Sequence, residues 1–232
     1  MTIIAAFTLH LTINTASSAL NIAHYQKLNC MKILFVLIGL ITLSSFTMPA
    51  GEGLTDGERK LVVAEFQRTK QRFLNNVQGL SAKQLAFKAD TAHWSIAQCA
   101  EHIALAEGLL WQWYQGTISQ PSAPEKASEV KLTNEQLMKG LLDRTQKFKA
   151  PEMLQPVGKF ASTDAAVQSY TSRRDSTIQY LLTTQDDLKN HFTQHPAFGT
   201  INTYQLMLLL SGHCERHTMQ IEEVKANPAF PK

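Results

Sequence analysis

The feature that most constrains this chain is a helical spacing of apolar residues that returns several times along it. Apolar side chains that recur every three or four residues bury one face of a helix, whereas strands alternate every second residue. Strand-like alternation is almost absent from the sequence. The pattern predicts helices that begin at or just after capping residues, namely Thr55, Ser95, Thr133, Thr163 or Asp164, and Thr203.

The ends of the predicted helices follow from helix-breaking residues. The first helix is expected to end at Gly79 and the second near Gly116. The third is shorter and is expected to run through Phe148 before prolines break it. The last helix extends to about Lys225, and residues 186–199 ahead of it are predicted to be irregular.

The number and lengths of these helices indicate the fold class. Four long amphipathic helices and one short helix are typical of an all-α four-helix bundle with one additional short helix. Residues 51–232 are long enough to form such a bundle as a single domain with its own core. The inward faces of a bundle of this kind can carry metal ligands.

The first fifty residues contain a predicted export signal. Lys32 precedes an apolar run over residues 33–43, and small residues follow it, which is the pattern of a secretory signal peptide over residues 31–50. A membrane-spanning helix is the alternative, but it needs about 20 apolar residues. Since a signal peptide stands at the start of a chain, Met31 is predicted to be the true start and residues 1–30 to be upstream read-through. The processed protein is expected to be periplasmic or secreted, without a membrane partner.

The charge of the chain argues against nucleic-acid binding. The sequence has 22 Lys and Arg residues against 19 Asp and Glu. Two of the basic residues, Lys27 and Lys32, lie in residues 1–50, where there is no acid. The remainder is therefore almost neutral and shows no basic stripe that would follow a phosphate backbone.

Three histidines are candidates for one metal site. His213 and His217 stand four residues apart on the last predicted helix, so their side chains lie one turn apart on the same face. His102 lies in an apolar stretch of the second helix and is the candidate third ligand. A hydrogen-bonded core role for each histidine is the alternative. Zinc-protease motifs are excluded, because Cys214 and Arg216 occupy the positions where those motifs need glutamate.

Two cysteines lie close to these histidines in the sequence. Cys99 is three residues before His102 and shares its helix face, so it is a candidate fourth ligand, which would close the metal to substrate. Cys214 directly follows His213 and faces away from it by about 100°. The alternative for each is a small buried residue, and a disulfide between them remains open in an exported protein.

Four other residues are candidates for supporting roles. Gln220 follows His217 by three residues and is placed to hydrogen-bond a group at the metal. Glu101 and Glu215 each neighbour a histidine but point about 100° away, which favours a solvated or ion-paired helix face. Trp94 is expected to belong to the core or to a pocket wall.

The other histidines are predicted to have no part in the site. His191 and His195 also stand four apart, but Pro196 disfavours a helix there, so both are interpreted as surface residues of a loop. His93 lies ahead of the second helix and is interpreted as structural.

Taken together, these motifs resemble the DinB / YfiT-like superfamily of four-helix-bundle metal proteins. The resemblance covers about residues 58–226 and rests on Trp94-Ser95, His102, His195-Pro196 with Gly199, and His213-x-x-Arg216-His217-x-x-Gln220-Ile221. In that family one histidine of the second helix and two of the last bind a divalent metal. The resemblance therefore implies His102, His213 and His217 as ligands.

The resemblance also limits the expected function. Three histidine ligands suit zinc, with nickel or another first-row ion as alternatives, and they leave a position open for water or substrate. Relatives include hydrolases and thiol-dependent transferases, so a metal-dependent enzyme acting on a small molecule is one hypothesis. A binding protein that docks a small ligand on its metal without turnover is the second, and a bundle with structural histidines is the third. The sequence does not decide between a monomer and a homodimer.

Overall fold

A computed structural model describes residues 53–232. The predicted signal peptide, residues 31–50, and the predicted read-through, residues 1–30, lie outside the described residues. The α-helices, in chain order, are α1 Asp56–Val77, α2 Ala82–Ala86, α3 Ile96–Ile118, α4 Asn134–Leu142, α5 Thr163–Thr183 and α6 Thr203–Lys225. Short 3-10 helices span Pro124–Glu129 and Glu152–Leu154, and two strands, β1 Phe192–His195 and β2 Gly199–Asn202, precede α6.

The helices begin where side chains can satisfy the free amides of their first turns. Capping boxes open α1, α3, α4 and α6, with Thr55, Ser95, Thr133 and Asn202 as the capping residues. In each, the cap side chain accepts a bond from the amide three residues on, and the side chain of that residue accepts a bond from the cap amide. The predicted helix starts are confirmed, and Ser162 caps α5 at the predicted Thr163.

One helix is shorter than the sequence predicts. Helix α4 ends at Leu142 and does not reach Phe148. A side chain of another helix satisfies the carbonyls at its end: Arg216 of α6 donates to the carbonyls of Leu141 and Asp143, each at 2.8 Å. Because this guanidinium satisfies carbonyls that would otherwise need the amides of a further turn, the helix ends there.

The prediction that residues 186–199 are irregular is wrong for the second half of this range. Strands β1 and β2 pair as an antiparallel hairpin in which His195 stands opposite Gly199. Gly199 has φ 72°, which a glycine adopts without strain in a tight turn. The short helix α2, capped by Ser81, was also not predicted. Helix α2 has five residues and each strand has four, so none of them shows a clear period in the sequence.

The four long helices form the bundle, and the predicted all-α class is confirmed. Helices α3 and α6 pack against each other, α1 packs on α5 and α6, and α5 packs on α3. Helices α1 and α3 are therefore diagonal to one another, as are α5 and α6. The short α4 covers the outside of α6, which is buried along most of its length. No helix among residues 53–232 has the length and apolar character to cross a bilayer.

A buried ion pair links all four long helices. Arg174 of α5 is fully buried and donates two bonds to Glu107 of α3, at 2.8 and 2.7 Å. The same guanidinium donates to Thr69 of α1 at 3.1 Å and to Ser211 of α6 at 3.5 Å, and it stacks over Phe66 of α1. This pair gives the bundle a polar centre between its apolar layers.

Candidate metal centre

The three predicted histidines meet between α3 and α6. His102 Nε2 lies 3.2 Å from His213 Nε2 and 3.1 Å from His217 Nε2. One ligand atom from each of the three falls within 4.8 Å of the others, and residues 53–232 contain no other such group of potential metal ligands. His102 is buried, while His213 and His217 are partly exposed. The side of the site formed by α6 is therefore less buried than the side formed by α3.

The outer nitrogens of two rings have fixed partners. His102 Nδ1 lies 2.8 Å from the carbonyl oxygen of Leu154, and His217 Nδ1 lies 2.9 Å from Gln220 Oε1. A carbonyl oxygen has no proton to give, so, with the Gln220 amide in this orientation, Nδ1 carries the hydrogen in both rings. In a neutral ring Nε2 is then left with a lone pair. Two nitrogens with lone pairs thus face each other at 3.1 Å with no hydrogen between them.

The spacing of these nitrogens fits a metal ion. With Zn–N bonds of about 2.0–2.1 Å and tetrahedral angles, ligand nitrogens lie roughly 3.3 Å apart. The separations of 3.2 and 3.1 Å from His102 Nε2 to the Nε2 atoms of His213 and His217 are close to that value. Partners that fix Nδ1–H are the usual outer contacts of metal-binding histidines.

The surroundings keep the rings neutral. Burial lowers the pKa of His102 below its ordinary value of 6.5, and the bond to Leu154 only partly opposes this. Burial, followed by the nearby His217 and His102, holds the pKa of His213 well below 6.5. Burial and His102 do the same for His217. Neutral imidazole is the form that binds metal.

An aromatic ring and two guanidinium groups flank the centre. Trp94, expected in the core or a pocket wall, lies against His102 at 4.8 Å and His217 at 6.0 Å between ring centroids. Arg216, buried next to His217 in the sequence, donates to carbonyls at the end of α4 and beyond it. Arg144 binds Glu223 with bonds of 3.1 and 2.8 Å, and its charge contributes to lowering the pKa of His217.

The candidate supporting residues make different contacts in the structure. The Oε1 atom of Gln220 accepts a bond from the outer nitrogen of His217, so Gln220 orients a candidate ligand. Glu101 is neither solvated nor ion-paired, contrary to the favoured interpretation. It is buried and accepts the backbone amides of Gly158 and Lys159 at 2.8–3.1 Å. Glu215 is ion-paired as favoured, with Arg68 and Arg72.

The two cysteines are buried free thiols. Cys99 does not belong to the histidine group, so the structure does not bring it to the site as a fourth ligand. Burial raises the pKa of Cys99 to about 12. Cys214 lies 3.1 Å from the hydroxyl of Tyr170, and its pKa is raised to about 11, chiefly by burial. Both are the small core residues of the alternative interpretation, and they are not bonded to each other.

The histidines outside the site also have definite contacts. His195 is partly buried between Trp113 and Phe198, with ring centroids at 5.7 and 4.8 Å, so its assignment as a loop surface residue is wrong. His191 is partly buried, and its Nδ1 lies 2.8 Å from the carbonyl of Asp187. His93 is exposed and pairs with Asp90 at 2.7 Å.

Two contacts of the site have no clear signal in the sequence. The carbonyl of Leu154 is a backbone group in a loop, and nothing in its residue type shows that it faces His102. Arg144 lies outside the motifs considered above. Arg216 stands within the His-x-x-Arg-His motif, but its role at the end of α4 depends on a long-range contact.

Comparison with known proteins agrees with this architecture. The model of the DinB superfamily matches residues 65–221. The chain belongs to the DinB superfamily. Among its relatives is an uncharacterized protein of Bacillus subtilis (strain 168), YuaE, 22% identical over 160 residues, which make up 69% of this chain and 94% of YuaE.

A solved structure supports the fold independently. YfiT from Bacillus subtilis, described as a probable metal-dependent hydrolase with an unusual four-helix bundle topology, superposes with a TM-score of 0.51 at 13% identity. The match covers 75% of this chain and 89% of YfiT. At that identity the likeness establishes the four-helix bundle of the DinB fold.

Proposed function

We propose that this chain is a divalent-metal-dependent hydrolase that acts on a small molecule outside the cytoplasm. The observation that carries the proposal is the pair of Nε2 atoms of His102 and His217, which face each other at 3.1 Å while their Nδ1 atoms are engaged elsewhere. Two lone pairs in that position repel each other unless a cation lies between them. The description of YfiT as a probable metal-dependent hydrolase is consistent with the same chemistry.

The three imidazoles would hold the metal, with zinc as the favoured ion and nickel or another first-row ion as alternatives. When bound, such an ion acts as a Lewis acid and lowers the pKa of water to about 7, which makes water a nucleophile near neutral pH. Leu154 and Gln220 fix the orientation of His102 and His217. Arg216 adds positive charge near His217, whereas the charge of Arg144 is paired with Glu223, so Arg216 is the residue that would favour a substrate that carries or develops negative charge.

Two other roles use the same residues. A thiol transferase would bind a thiolate in the open position of the metal, but export would separate the chain from the low-molecular-weight thiols of the cytoplasm. A metal- or ligand-binding protein without turnover is favoured by one observation. No carboxylate among residues 53–232 joins the histidine group, so a general base is not evident there. Turnover of ester and amide substrates by the metal-loaded chain separates a hydrolase from a binding protein.

Export depends on the segment over residues 31–50, which has the pattern of a signal peptide. We propose that cleavage near residue 50 leaves residues 51–232 as a single exported domain. Cell fractionation with N-terminal sequencing of the recovered protein tests this. Recovery of the chain from the cytoplasm with residues 31–50 intact would contradict export and leave the metal site untouched.

The first test of function is the metal content of the chain, purified without an affinity tag or chelator. We expect close to one divalent ion per chain, lost in a His213→Ala variant because two ligands do not hold it. His93→Ala is the matched control, since His93 is exposed and outside the group. Absence of metal even after incubation with zinc, or equal metal in His213→Ala, would overturn the proposed site.

A further inference from the structure

The loop between α4 and α5, residues 143–162, exposes apolar side chains to solvent. Five large hydrophobic residues among residues 53–232 are exposed, and three of them lie in this loop. They are Phe148, Met153 and Val157, which are 58%, 59% and 73% exposed. Such high exposure means that these side chains project from the surface and do not line a cleft. Three exposed apolar side chains in one loop make that loop a candidate contact surface.

The backbone of this loop is held by hydrogen bonds to side chains of the bundle. It is bound to buried side chains at three places: Gln146 accepts a bond from Arg216, Leu154 lies against His102, and the amides of Gly158 and Lys159 donate to Glu101. Leu154 and Pro156 are buried, whereas Met153 and Val157 beside them are exposed. The apolar side chains are therefore presented by an anchored backbone.

Basic residues are interleaved with the apolar ones. Lys147 and Lys149 flank Phe148 directly, and Lys159 follows Val157 by two residues. All three lysines are exposed, and none forms a salt bridge with another residue of 53–232. The other basic residue of the loop, Arg144, is paired with Glu223, so three unpaired lysines stand against two acids, Asp143 and Glu152. Its surface is thus both apolar and cationic.

We propose that this loop docks on the surface of an anionic phospholipid bilayer. Projecting apolar side chains enter the boundary between headgroups and acyl chains, and neighbouring lysines are attracted to anionic headgroups. A second copy of the chain is disfavoured as the partner, because two such loops would bring like charges together. The proposal replaces the sequence-based expectation that the processed chain has no membrane partner.

Docking in this way would place the candidate metal centre directly behind the lipid surface. Leu154, between the exposed Met153 and Val157, binds His102 from inside the same loop. The proposal does not depend on the metal, since the exposed side chains are present whether or not an ion is bound. Metal content and vesicle binding can therefore fail independently.

The test is co-sedimentation of residues 51–232, which lack the apolar run over residues 33–43, with vesicles. We expect binding to vesicles of equal parts phosphatidylcholine and phosphatidylglycerol, little binding to phosphatidylcholine alone, and weaker binding at higher salt. A Lys147→Gln/Lys149→Gln variant should bind the anionic vesicles about tenfold to thirtyfold more weakly. Absence of binding to anionic vesicles, or equal binding to both kinds, would overturn the proposal.

A second pair of variants tests the apolar contribution. Met153→Ser/Val157→Ser should weaken binding about tenfold, and Phe148 is left intact because it stacks on Arg216. The matched control is Leu61→Ser/Leu182→Ser, at positions that are 58% and 44% exposed but lie on α1 and α5. Equal loss in both variants would overturn the assignment to the loop. Self-association of the chain in solution that Met153→Ser/Val157→Ser abolishes would identify a protein partner and likewise overturn it.

Discussion

Single hydrogen bonds decide the orientation of the candidate ligands. His217 lies on a partly exposed face of α6, and Gln220 one turn later receives its Nδ1–H. His102 is oriented by a carbonyl of a loop that itself is held by Glu101 and Arg216. His213 has no such bond among the described contacts, so its orientation depends on packing and on the neighbouring rings.

Gln220→Leu should lower the zinc affinity by about tenfold to 100-fold, because loss of the acceptor frees the ring of His217. Gln220→Glu should retain or raise the affinity, since a carboxylate accepts the same Nδ1–H more strongly. Titration of the chain against a zinc-binding dye measures both. Met219→Leu, a volume-conserving change at the adjacent partly buried position, is the control. Equal affinity in Gln220→Leu and Met219→Leu would show that this bond has no role in ligation.

At the scale of elements, α6 is the most constrained helix. It contacts α1, α3 and α4 and is buried along most of its length. Gly212, directly before His213, allows α4 to lie close to it. A Cβ atom on Gly212 would stand 2.7 Å from Leu141 Cδ2 and 2.8 Å from Met138 Cε, both on α4.

Gly212→Ala should therefore give a chain about 1–3 kcal/mol less stable to urea than Gly108→Ala, since two side chains must leave their packing. Gly108 is the matched control because it lies inside α3 and a Cβ there would meet nothing within 4 Å. Gly108→Ala itself should gain about 0.5–1 kcal/mol from helix propensity. If the two variants had the same free energy of unfolding, close approach of α4 would not explain this glycine.

The sequence predicts the starts of helices better than the other features of the elements. In a capping box such as that of Thr55 and Glu58, both partners lie within four residues of each other, so the interaction can be recognised from the local sequence alone. The end of α4 depends on Arg216, which is more than 70 residues away, and the hairpin depends on pairing between two four-residue strands. His213 and His217 share a face by helix geometry alone, whereas the approach of His102 requires that α3 and α6 be neighbours.

At the scale of the whole molecule, the pair of Arg174 and Glu107 joins the four long helices at their centre. Both side chains are almost completely removed from solvent. Sequence patterns did not indicate this pair, because it requires knowing which helix faces meet. A buried pair with complete partners fixes how helices are arranged more than it adds to stability.

Glu107→Gln should destabilise the chain by about 3–5 kcal/mol in urea unfolding, because it leaves the charge of Arg174 buried without a counterion. Adding Arg174→Met should recover most of that loss, since the unpaired charge is then removed as well. The control is Asp175→Asn, which breaks the exposed pair with Lys70 and should cost less than about 1 kcal/mol. A Glu107→Gln variant as stable as Asp175→Asn would contradict this account of the bundle centre.

The order of the candidate ligands along the chain has a consequence for biogenesis. His102 is made early, whereas His213 and His217 follow it by 111 and 115 residues, on the final helix. A nascent chain that has released α1 to α5 offers one imidazole and can hold no ion in this way. The proposed metal site can therefore form only after α6 has been synthesised and has docked on α3, so an ion held by the three rings would report that the bundle has assembled.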